Sequence, residues 1–335
     1  MNKVLLEHIG QVVKENYEKV CRGRYLITGA TGNIAEYIIR LLLNIEGVEI
    51  VAMCHSIEKG NIVYSDLIGS SRLRLVQHDV LCEVNEEYGL IDYVIHTAGI
   101  CNNYICKQSP EKVIETNISG TKNILEYAKR SGVKKFCFIS SASVYGSLSS
   151  DLYCEYEQGL IDFGNVNNAY AYSKRIGELL CHMYEEYFPV VIVRPFHIIE
   201  SGMIKEKSSM LGSFFNRASC NKDIIINTQG TQKRNFTFVI DVAMIIILLT
   251  ATGRGVYNIG NPNGTEDVLS MAKIVRDTVN KSVNIKCNNE WSAKPSNNID
   301  MVPNLNRLKA FIEDYQFFDV AEAIKICIEV LETEA

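Results

Sequence analysis

Tyr170 and Lys174 stand four residues apart at the start of a segment, Tyr170–Tyr187, that is predicted to be a helix. Positions i and i+4 share one face of a helix, so both side chains can point into one cleft. A tyrosine has a pKa of about 10, and a neighbouring ammonium group favours its phenolate form. Tyr170 is therefore predicted to exchange a proton with a substrate oxygen, which Ser141 also hydrogen-bonds.

A glycine-rich turn, Thr28–Ala35, lies upstream, directly after a short apolar strand and before a helix. Gly29 and Gly32 allow the chain to turn tightly and bring backbone N–H groups close to a pyrophosphate at the helix N-terminus. A dinucleotide cradle, a hydroxyl donor and a phenol beside an ammonium are the groups that hydride transfer at a carbinol carbon needs. The sequence thus predicts a nicotinamide cofactor that carries the hydride.

The end of the second strand leaves the type of nicotinamide cofactor open. NAD binding normally uses an acidic residue at this point, for the ribose 2′-OH, whereas this chain has Met53-Cys54-His55-Ser56. A 2′-phosphate of NADP could meet His55, Ser56 or Lys59, although these are equally well interpreted as ordinary loop residues. Asp79, after the third strand, is placed to reach the adenine edge. The cofactor is therefore predicted to be NAD or NADP.

Composition and charge restrict the class of protein. The chain has 335 residues, of which 47% are apolar and 22% charged, as in ordinary globular enzymes. A net charge of −5 argues against a nucleic-acid partner or an anionic membrane surface. The longest apolar run, from Val242 to Ala251, is too short to span a bilayer. We expect neither nucleic-acid nor membrane partners.

The 11 cysteines are scattered without the paired spacing of a disulfide framework or a zinc site. No secretory signal is recognisable. Reduced cysteines are typical of the cytoplasm, so we expect a cytoplasmic protein without a metal.

Strands alternate with helices as far as Pro195, which predicts an α/β fold with a Rossmann-type, doubly wound parallel sheet. Beyond this point shorter elements with Asn-rich connectors predict a smaller C-terminal substrate lobe over the carboxyl ends of the strands. The predicted units are an N-terminal helical extension at 1–22, an NAD(P)-binding domain at 23–196 plus about 235–260, and a substrate-binding lobe at about 197–234 plus 261–335.

With these residues in view, the chain resembles the extended short-chain dehydrogenase/reductase family, whose NAD-dependent epimerases and dehydratases modify nucleotide-activated sugars. The resemblance runs nearly from end to end. Thr28–Ala35 is similar to the family's T-G-x-x-G-x-x-[GA], and Arg194–His197 to its R-[YP]-F-[NH]. The other segments that match are His96–Gly99, the helix around Asn117, Lys233–Asp241 and Tyr257–Gly260.

The resemblance and the motifs together predict which residues form the active site. The predicted catalytic residues are Ser141, Tyr170 and Lys174. The predicted cofactor-binding residues are Gly29, Thr31, Gly32, Asn33, Ile34, His55, Ser56, Asp79, Val80, Thr97, Ala98, Gly99, Asn117, Tyr170, Lys174 and Phe196. The predicted substrate-binding residues are Ser141, Ser143, His197 and Arg234. In the family this arginine binds the substrate diphosphate, a role that suits its fork of donors.

The chain also departs from the family pattern. Ile199-Glu200-Ser201 stands where relatives commonly read Y-G-P, and Cys101 lies near the position of a lysine that many epimerases carry. Dehydratases and decarboxylases of the family usually carry acidic residues where this chain has Ala142 and Ser143. Elimination across C5–C6 needs an acid and a base that these two side chains cannot supply.

The resemblance therefore implies an enzyme that acts at C4 of a nucleotide-activated hexose, either an epimerase or a 4-keto reductase. The alternatives are a nucleotide-sugar 4,6-dehydratase or decarboxylase, and a reductase of a non-sugar ketone. Many relatives are dimers that pair two long helices, which implies a homodimer through helices 113–130 and 170–187.

Overall fold

The computed structural model of the chain describes residues 1–148, 150–205, 209–287 and 300–333. The strands are β1 (Gly23–Thr28), β2 (Val48–Cys54), β3 (Leu73–Gln77), β4 (Tyr93–His96), β5 (Lys135–Ile139), β6 (Val190–Pro195), β7 (His197–Ile199), β8 (Ile224–Ile226), β9 (Lys233–Phe238), β10 (Gly255–Ile259), β11 (Thr265–Asp267) and β12 (Ile285–Cys287). The α-helices are α1 (Lys3–Asn16), α2 (Asn33–Leu43), α3 (Ile57–Val63), α4 (Asn103–Gln108), α5 (Pro110–Ser131), α6 (Ala169–Met183), α7 (Ser201–Lys205), α8 (Met210–Ser219), α9 (Val239–Thr252), α10 (Val268–Val279), α11 (Asn306–Phe311) and α12 (Val320–Thr333).

Seven strands form one sheet in the order β10-β6-β5-β4-β1-β2-β3, and all neighbouring pairs are parallel. Both faces of this sheet are buried, because Tyr25 and Ile27 belong to one apolar cluster and Leu26, between them, to another. The predicted doubly wound α/β fold is confirmed. The strand order reverses between β1 and β4, and ligands bind at such a switch point, outside the carboxyl ends of the strands.

Strands after β6 also form two small sheets, a three-stranded sheet β11-β9-β7 and a two-stranded sheet β12-β8. In the first, His197 pairs with Phe236, and Arg234 pairs with Glu266. Since side chains alternate along a strand, His197 and Arg234 lie on the same face of this sheet. Of the segment 235–260, β10 joins the seven-stranded sheet, whereas β9 lies in the small one. The boundary between the two predicted domains stays a prediction.

The N-terminal helix α1 packs its apolar side against α2, α9 and α12. Its inward side chains, Leu5, Ile9, Val12 and Val13, are buried in the larger apolar cluster. Asn2 begins the helix by accepting a hydrogen bond from the N–H of Val4. None of the helices that the structure describes is long and apolar enough to cross a membrane.

Two substitutions on α1 that shorten a side chain by a similar amount are predicted to destabilise the protein to different extents, because one side chain is buried and the other is exposed. Ile9 is 0% exposed, whereas Leu6, one turn earlier, is 38% exposed. We expect Ile9→Ala to lower the free energy of unfolding by about 2–5 kcal/mol, because it leaves a cavity. Leu6→Ala should lower the free energy of unfolding by only roughly 0.5 kcal/mol. Urea unfolding monitored by circular dichroism measures both, and equal losses would show that α1 does not pack as described.

Candidate active site

The glycine-rich turn joins β1 to α2 at the switch point of the sheet. Gly29 has a φ of +63°, and a Cβ there would lie 2.7 Å from the Cα of Ala98, so only glycine fits. Gly32 is the N-cap residue of α2 and has no side chain to accept a hydrogen bond from the first N–H groups of the helix. These groups have no carbonyl partner within the helix, and the helix dipole favours an anion beside them. The turn therefore fits a dinucleotide pyrophosphate.

A buried chain of hydrogen bonds ties this turn to the end of β4. The N–H of Ala98 donates to the Thr28 hydroxyl (3.2 Å), which lies 2.7 Å from Nδ1 of His96. Nε2 of His96 lies 3.0 Å from the Thr121 hydroxyl on α5. Burial lowers the pKa of His96 to about 3, so the ring is neutral. The Thr97 hydroxyl adds a 2.6 Å hydrogen bond to the carbonyl of Thr28. The two loops are thus held in fixed positions relative to each other.

Asn117 on α5 connects the end of β4 to α6. Its side chain accepts a hydrogen bond from the N–H of Ile100 (2.7 Å) and donates one to the Ser173 hydroxyl (2.9 Å). A Cβ on Gly99 would lie 3.1 Å from Oδ1 of Asn117 and 3.5 Å from Nζ of Lys174. The backbone after β4 therefore lies directly against the Lys174 ammonium.

The structure brings Ser141, Tyr170 and Lys174 together. Lys174 and Tyr170 lie on one face of α6, with Nζ 6.0 Å from the centre of the tyrosine ring. Nζ donates a 2.7 Å hydrogen bond to the carbonyl of Ile139, at the end of β5. Ser141 follows two residues later and hydrogen-bonds the phenol, which lowers the tyrosine pKa. A substrate oxygen next to the phenol would thus also have the serine hydroxyl nearby.

The ionisation of the pair differs from the sequence-based expectation. Burial raises the pKa of Tyr170 above its usual value, the nearby Cys101 adds to the rise, and Ser141 opposes it. Burial also lowers the pKa of Lys174 to about 8. The expectation of a lowered phenol pKa is wrong for the side chains alone, because desolvation disfavours both charged forms.

Glu178 lies one turn beyond Lys174 and was not singled out by the sequence. Its carboxylate accepts two hydrogen bonds from the Arg194 guanidinium, 2.9 Å from Nε and 2.6 Å from Nη2. The Ser140 hydroxyl donates a third, at 2.5 Å. Both charged side chains are buried. The arrangement joins α6 to β6 and to the residue preceding Ser141.

The residues predicted to bind the adenosine half lie after β2, after β3 and against α5. His55 is exposed, with Nε2 3.7 Å from the Asp79 carboxylate. Ser56 caps α3 by accepting a hydrogen bond from the N–H of Lys59. Val80 packs closely on α5, where a Cβ on Gly120 would lie 2.7 Å from its Cγ2. Their contact with a cofactor stays a prediction, as it does for Thr31, Asn33 and Ile34 in the turn.

The predicted substrate residues include polar atoms without partners. Oγ of Ser143 and Nδ1 of His197 are buried and have no hydrogen-bond partner among the described residues. Burial, and next the charge of Arg234, lower the pKa of His197 to about 4. The ring of Phe196 packs against Tyr145 and Tyr153. Buried polar atoms normally find partners, so Ser143 and His197 are suited to accept or donate to a ligand.

The atypical loop after β7 also touches the glycine-rich turn. Nδ2 of Asn33 donates to the Glu200 carboxylate (2.5 Å), which also accepts from the N–H of Gly202 (3.2 Å). In the sequence, the departure of Ile199-Glu200-Ser201 from the family pattern was the one indication that this loop is unusual. Among the residues that the structure describes, no group of three His, Cys, Asp or Glu side chains is arranged to hold a metal ion.

The sequence profile of the NAD dependent epimerase/dehydratase family matches residues 25–260. The chain belongs to this family. The members of the NAD dependent epimerase/dehydratase family are enzymes of the short-chain dehydrogenase/reductase type that act on nucleotide sugars. A catalytic Ser-Tyr-Lys triad in this chain stays a prediction.

Known proteins resemble the chain over most of its length. UDP-glucuronic acid decarboxylase 3 from Arabidopsis thaliana is 29% identical over 266 residues, 78% of this chain and 76% of that protein. A UDP-N-acetylglucosamine 4-epimerase from Methanobrevibacter ruminantium, solved with UDP-N-acetylmuramic acid, superposes with a TM-score of 0.77 at 19% identity, covering 94% of this chain and 99% of that one. The UDP-glucuronic acid 4-epimerase from Bacillus cereus, solved with UDP-glucuronic acid and NAD, has a TM-score of 0.77 at 21% identity, with 93% and 100% covered. These structures share the fold.

The protonation of Lys174 predicts an alkaline limit on turnover. Because its pKa lies at about 8, the ammonium is present below that pH and is lost as the pH rises through it. We expect kcat/KM for a nucleotide sugar to fall above that value. Lys174→Arg, although slower, should keep its activity constant to about pH 10, because a guanidinium stays protonated. Lys122→Arg, at an exposed lysine, should keep the wild-type profile. An identical alkaline decline in Lys174→Arg would assign the limit to another group.

Proposed function

We propose that this protein is an NAD-dependent 4-epimerase of a nucleotide-activated hexose. The observation that carries the proposal is the convergence of Ser141, Tyr170 and Lys174 beside a turn that fits a pyrophosphate. When bound, the nicotinamide would accept the hydride from C4 and return it to the opposite face. The chain itself has to hold the sugar, move one proton at O4 and keep the cofactor in place.

Tyr170 takes the proton from O4 during oxidation and gives it back during reduction. Its phenolate needs stabilisation, because burial alone keeps the phenol protonated. Ser141 donates to the phenol oxygen, and Lys174 supplies a positive charge from the same face of α6. The cationic nicotinamide would add a second positive charge. As the phenol becomes neutral, the single hydroxyl proton of Ser141 would turn from the phenol oxygen to O4, where charge develops.

His197 and Arg234 are proposed to bind the nucleotide diphosphate side of the substrate. They lie on one face of the three-stranded sheet. The positive charge of Arg234 suits a diphosphate, and the unpartnered Nδ1 of His197 suits a hydrogen bond. Ser143, whose Oγ also has no partner among the described residues, would contact the sugar. The positions of His197 and Arg234 favour the assignment of the segment 197–234 to substrate binding.

NAD is favoured over NADP in this proposal. The Asp79 carboxylate lies 3.7 Å from His55, next to the end of β2. A 2′-phosphate at that place would meet a negative charge, whereas a 2′-hydroxyl would find a hydrogen-bond acceptor. The B. cereus epimerase was solved with NAD, and the family is NAD-dependent.

Decarboxylation is the second candidate, because relatives of 26–29% identity are UDP-glucuronic acid decarboxylases. If C6 is a carboxylate, a ketone at C4 makes the sugar a β-keto acid, which can lose carbon dioxide and be protonated at C5. Oxidation at C4 is then the same first step. Dehydration is disfavoured, since Ala142 and Ser143 offer no acid and base for loss of the C6 hydroxyl.

One assay separates these reactions. The purified protein with NAD is incubated with UDP-glucose, UDP-N-acetylglucosamine and UDP-glucuronic acid, and products are identified by NMR. A C4 epimer supports the proposal. A UDP-pentose and carbon dioxide would replace it with decarboxylation, and a 4-keto-6-deoxy sugar would refute the argument from Ala142 and Ser143. No turnover of any of the three sugars would count against the proposal.

Tyr170→Phe should lower kcat in this assay by about 10²–10⁴-fold, the usual contribution of an acid–base group. The affinity for NAD should change little. Tyr172→Phe is the matched control, since its hydroxyl donates to the carbonyl of Ile161 outside the triad. A Tyr170→Phe enzyme with normal kcat would remove Tyr170 from the mechanism.

We also propose a homodimer that pairs α6 with its copy. Ile176, Leu179, Met183 and Tyr187 form an apolar stripe along this helix and just beyond its end, each between 36% and 61% exposed. Their spacing of three or four residues puts them on one side. Contiguous exposed apolar side chains of this kind mark association sites.

Leu179→Glu should shift the protein from dimer to monomer, because it buries a charge in the proposed interface. Leu90→Glu, at a leucine that is 72% exposed elsewhere on the surface, is the control and should leave the mass unchanged. Size-exclusion chromatography with light scattering measures both. A wild-type monomer, or a Leu179→Glu dimer of unchanged stability, would contradict the proposed interface.

A further inference from the structure

Tyr64 is a buried residue that contacts the backbone of the glycine-rich turn from the core of the protein. It lies immediately after α3, outside every motif noted in the sequence, and is 0% exposed. Its hydroxyl donates a 2.5 Å hydrogen bond to the carbonyl of Ala30, in the middle of the turn. Burial raises the pKa of this phenol far above its usual value, so the hydroxyl stays protonated and remains a donor.

This hydrogen bond fixes the orientation of one peptide group. A trans peptide is planar, and its C=O and N–H point in opposite directions. Since the carbonyl of Ala30 points to Tyr64 in the core, the N–H of Thr31 points the other way, toward the exposed side of the turn. The N–H of Ala30 is already engaged, 2.9 Å from the carbonyl of Met53. The two flanking glycines do not themselves resist rotation of this peptide.

The opposite orientation would be unfavourable for a phosphate ligand. If the peptide between Ala30 and Thr31 rotated, a carbonyl oxygen would replace an N–H donor on the exposed side. A carbonyl oxygen carries a partial negative charge and repels a phosphate oxygen, whereas an N–H binds it. The buried phenol would then lose the acceptor that it has among the described residues, which carries a desolvation cost.

Tyr64 is itself held firmly. The guanidinium of Arg40 lies 5.6 Å from the centre of its ring and pairs with the Asp66 carboxylate through hydrogen bonds of 2.7 and 3.1 Å. Arg40 also donates to the carbonyl of Val63 and, on α2, is 2% exposed. Residues on both sides of Tyr64 are thereby fixed to the helix that begins at the turn.

We propose that Tyr64 is a positioning residue for the cofactor pyrophosphate, because its hydroxyl turns the N–H of Thr31 toward the phosphates. The inference rests on the proposed function in one respect, that the turn binds NAD. It adds a residue that contacts neither cofactor nor substrate and acts through the backbone of the turn.

Tyr64→Phe removes this single hydroxyl and leaves the ring in place. Tyr25→Phe is the matched control, because Tyr25 is equally buried and its hydroxyl donates to a backbone carbonyl, that of Cys21 (2.7 Å), away from the turn. Both variants are compared with the wild type, each freed of bound nucleotide. Calorimetric titration with NAD, ADP and adenosine gives the affinities, and thermal unfolding gives the stability.

We expect Tyr64→Phe to raise the Kd for NAD and for ADP by about 3- to 10-fold, as loss of one hydrogen bond does. Its Kd for adenosine, which has no phosphate, and kcat at saturating NAD should stay at wild-type values. Tyr25→Phe should lower the melting temperature by about as much as Tyr64→Phe does, but it should not change any of the three Kd values. Unchanged NAD affinity in Tyr64→Phe, or equal weakening in both variants, would overturn the positioning role. A wild type that binds no dinucleotide would refute the proposed function as well.

Discussion

The buried ion pair between Glu178 and Arg194 joins the two elements that position the predicted catalytic groups, α6 and the end of β5, to the neighbouring strand β6. Glu178 lies on α6 with Tyr170 and Lys174, Arg194 lies on β6, and the same carboxylate receives the hydroxyl of Ser140 at the end of β5. A buried pair of charges is stable only when its hydrogen bonds are complete, and removal of one partner costs about 3–5 kcal/mol. The helix therefore has little freedom to slide or rotate against the sheet.

Complete hydrogen bonding also stabilises the buried polar groups beside the glycine-rich turn. Thr28, His96 and Thr121 form a buried series of polar contacts from β1 through β4 to α5, and Asn117 continues it to α6. Each group in this series has a partner, so the low dielectric of the interior strengthens the contacts instead of penalising them. The glycine-rich turn, the end of β4 and α6 are consequently positioned as one unit, although they are far apart in the sequence.

Desolvation has opposite effects on the two halves of the Tyr170–Lys174 pair. Burial raises the tyrosine pKa and lowers the lysine pKa, so the neutral forms of both are favoured. Positive charge from a bound nicotinamide would reverse this balance for the phenol. In the proposed mechanism, Tyr170 would therefore ionise more readily with the cofactor bound than without it.

The sequence by itself determined the fold class and the family, because both depend on local patterns. Alternating apolar strands and helices predict a parallel sheet, and the glycine spacing, the Tyr170–Lys174 spacing and the segment around Arg234 are short-range features. The i, i+4 rule also places Tyr170 and Lys174 on one face of their helix from the sequence alone. The departure at Glu200 was visible in the sequence, but its contact with Asn33 was not.

Only the tertiary structure decided which distant side chains meet and how burial changes them. Tyr64 lies 34 residues from the carbonyl to which it donates, and Glu178 pairs with an arginine on β6 and with a serine that follows β5. Such contacts depend on the packing of whole elements, which no spacing rule encodes. The pKa of the buried phenol likewise depends on all the atoms that exclude water from it. For that reason the sequence could predict which groups react, whereas their environment depends on the fold.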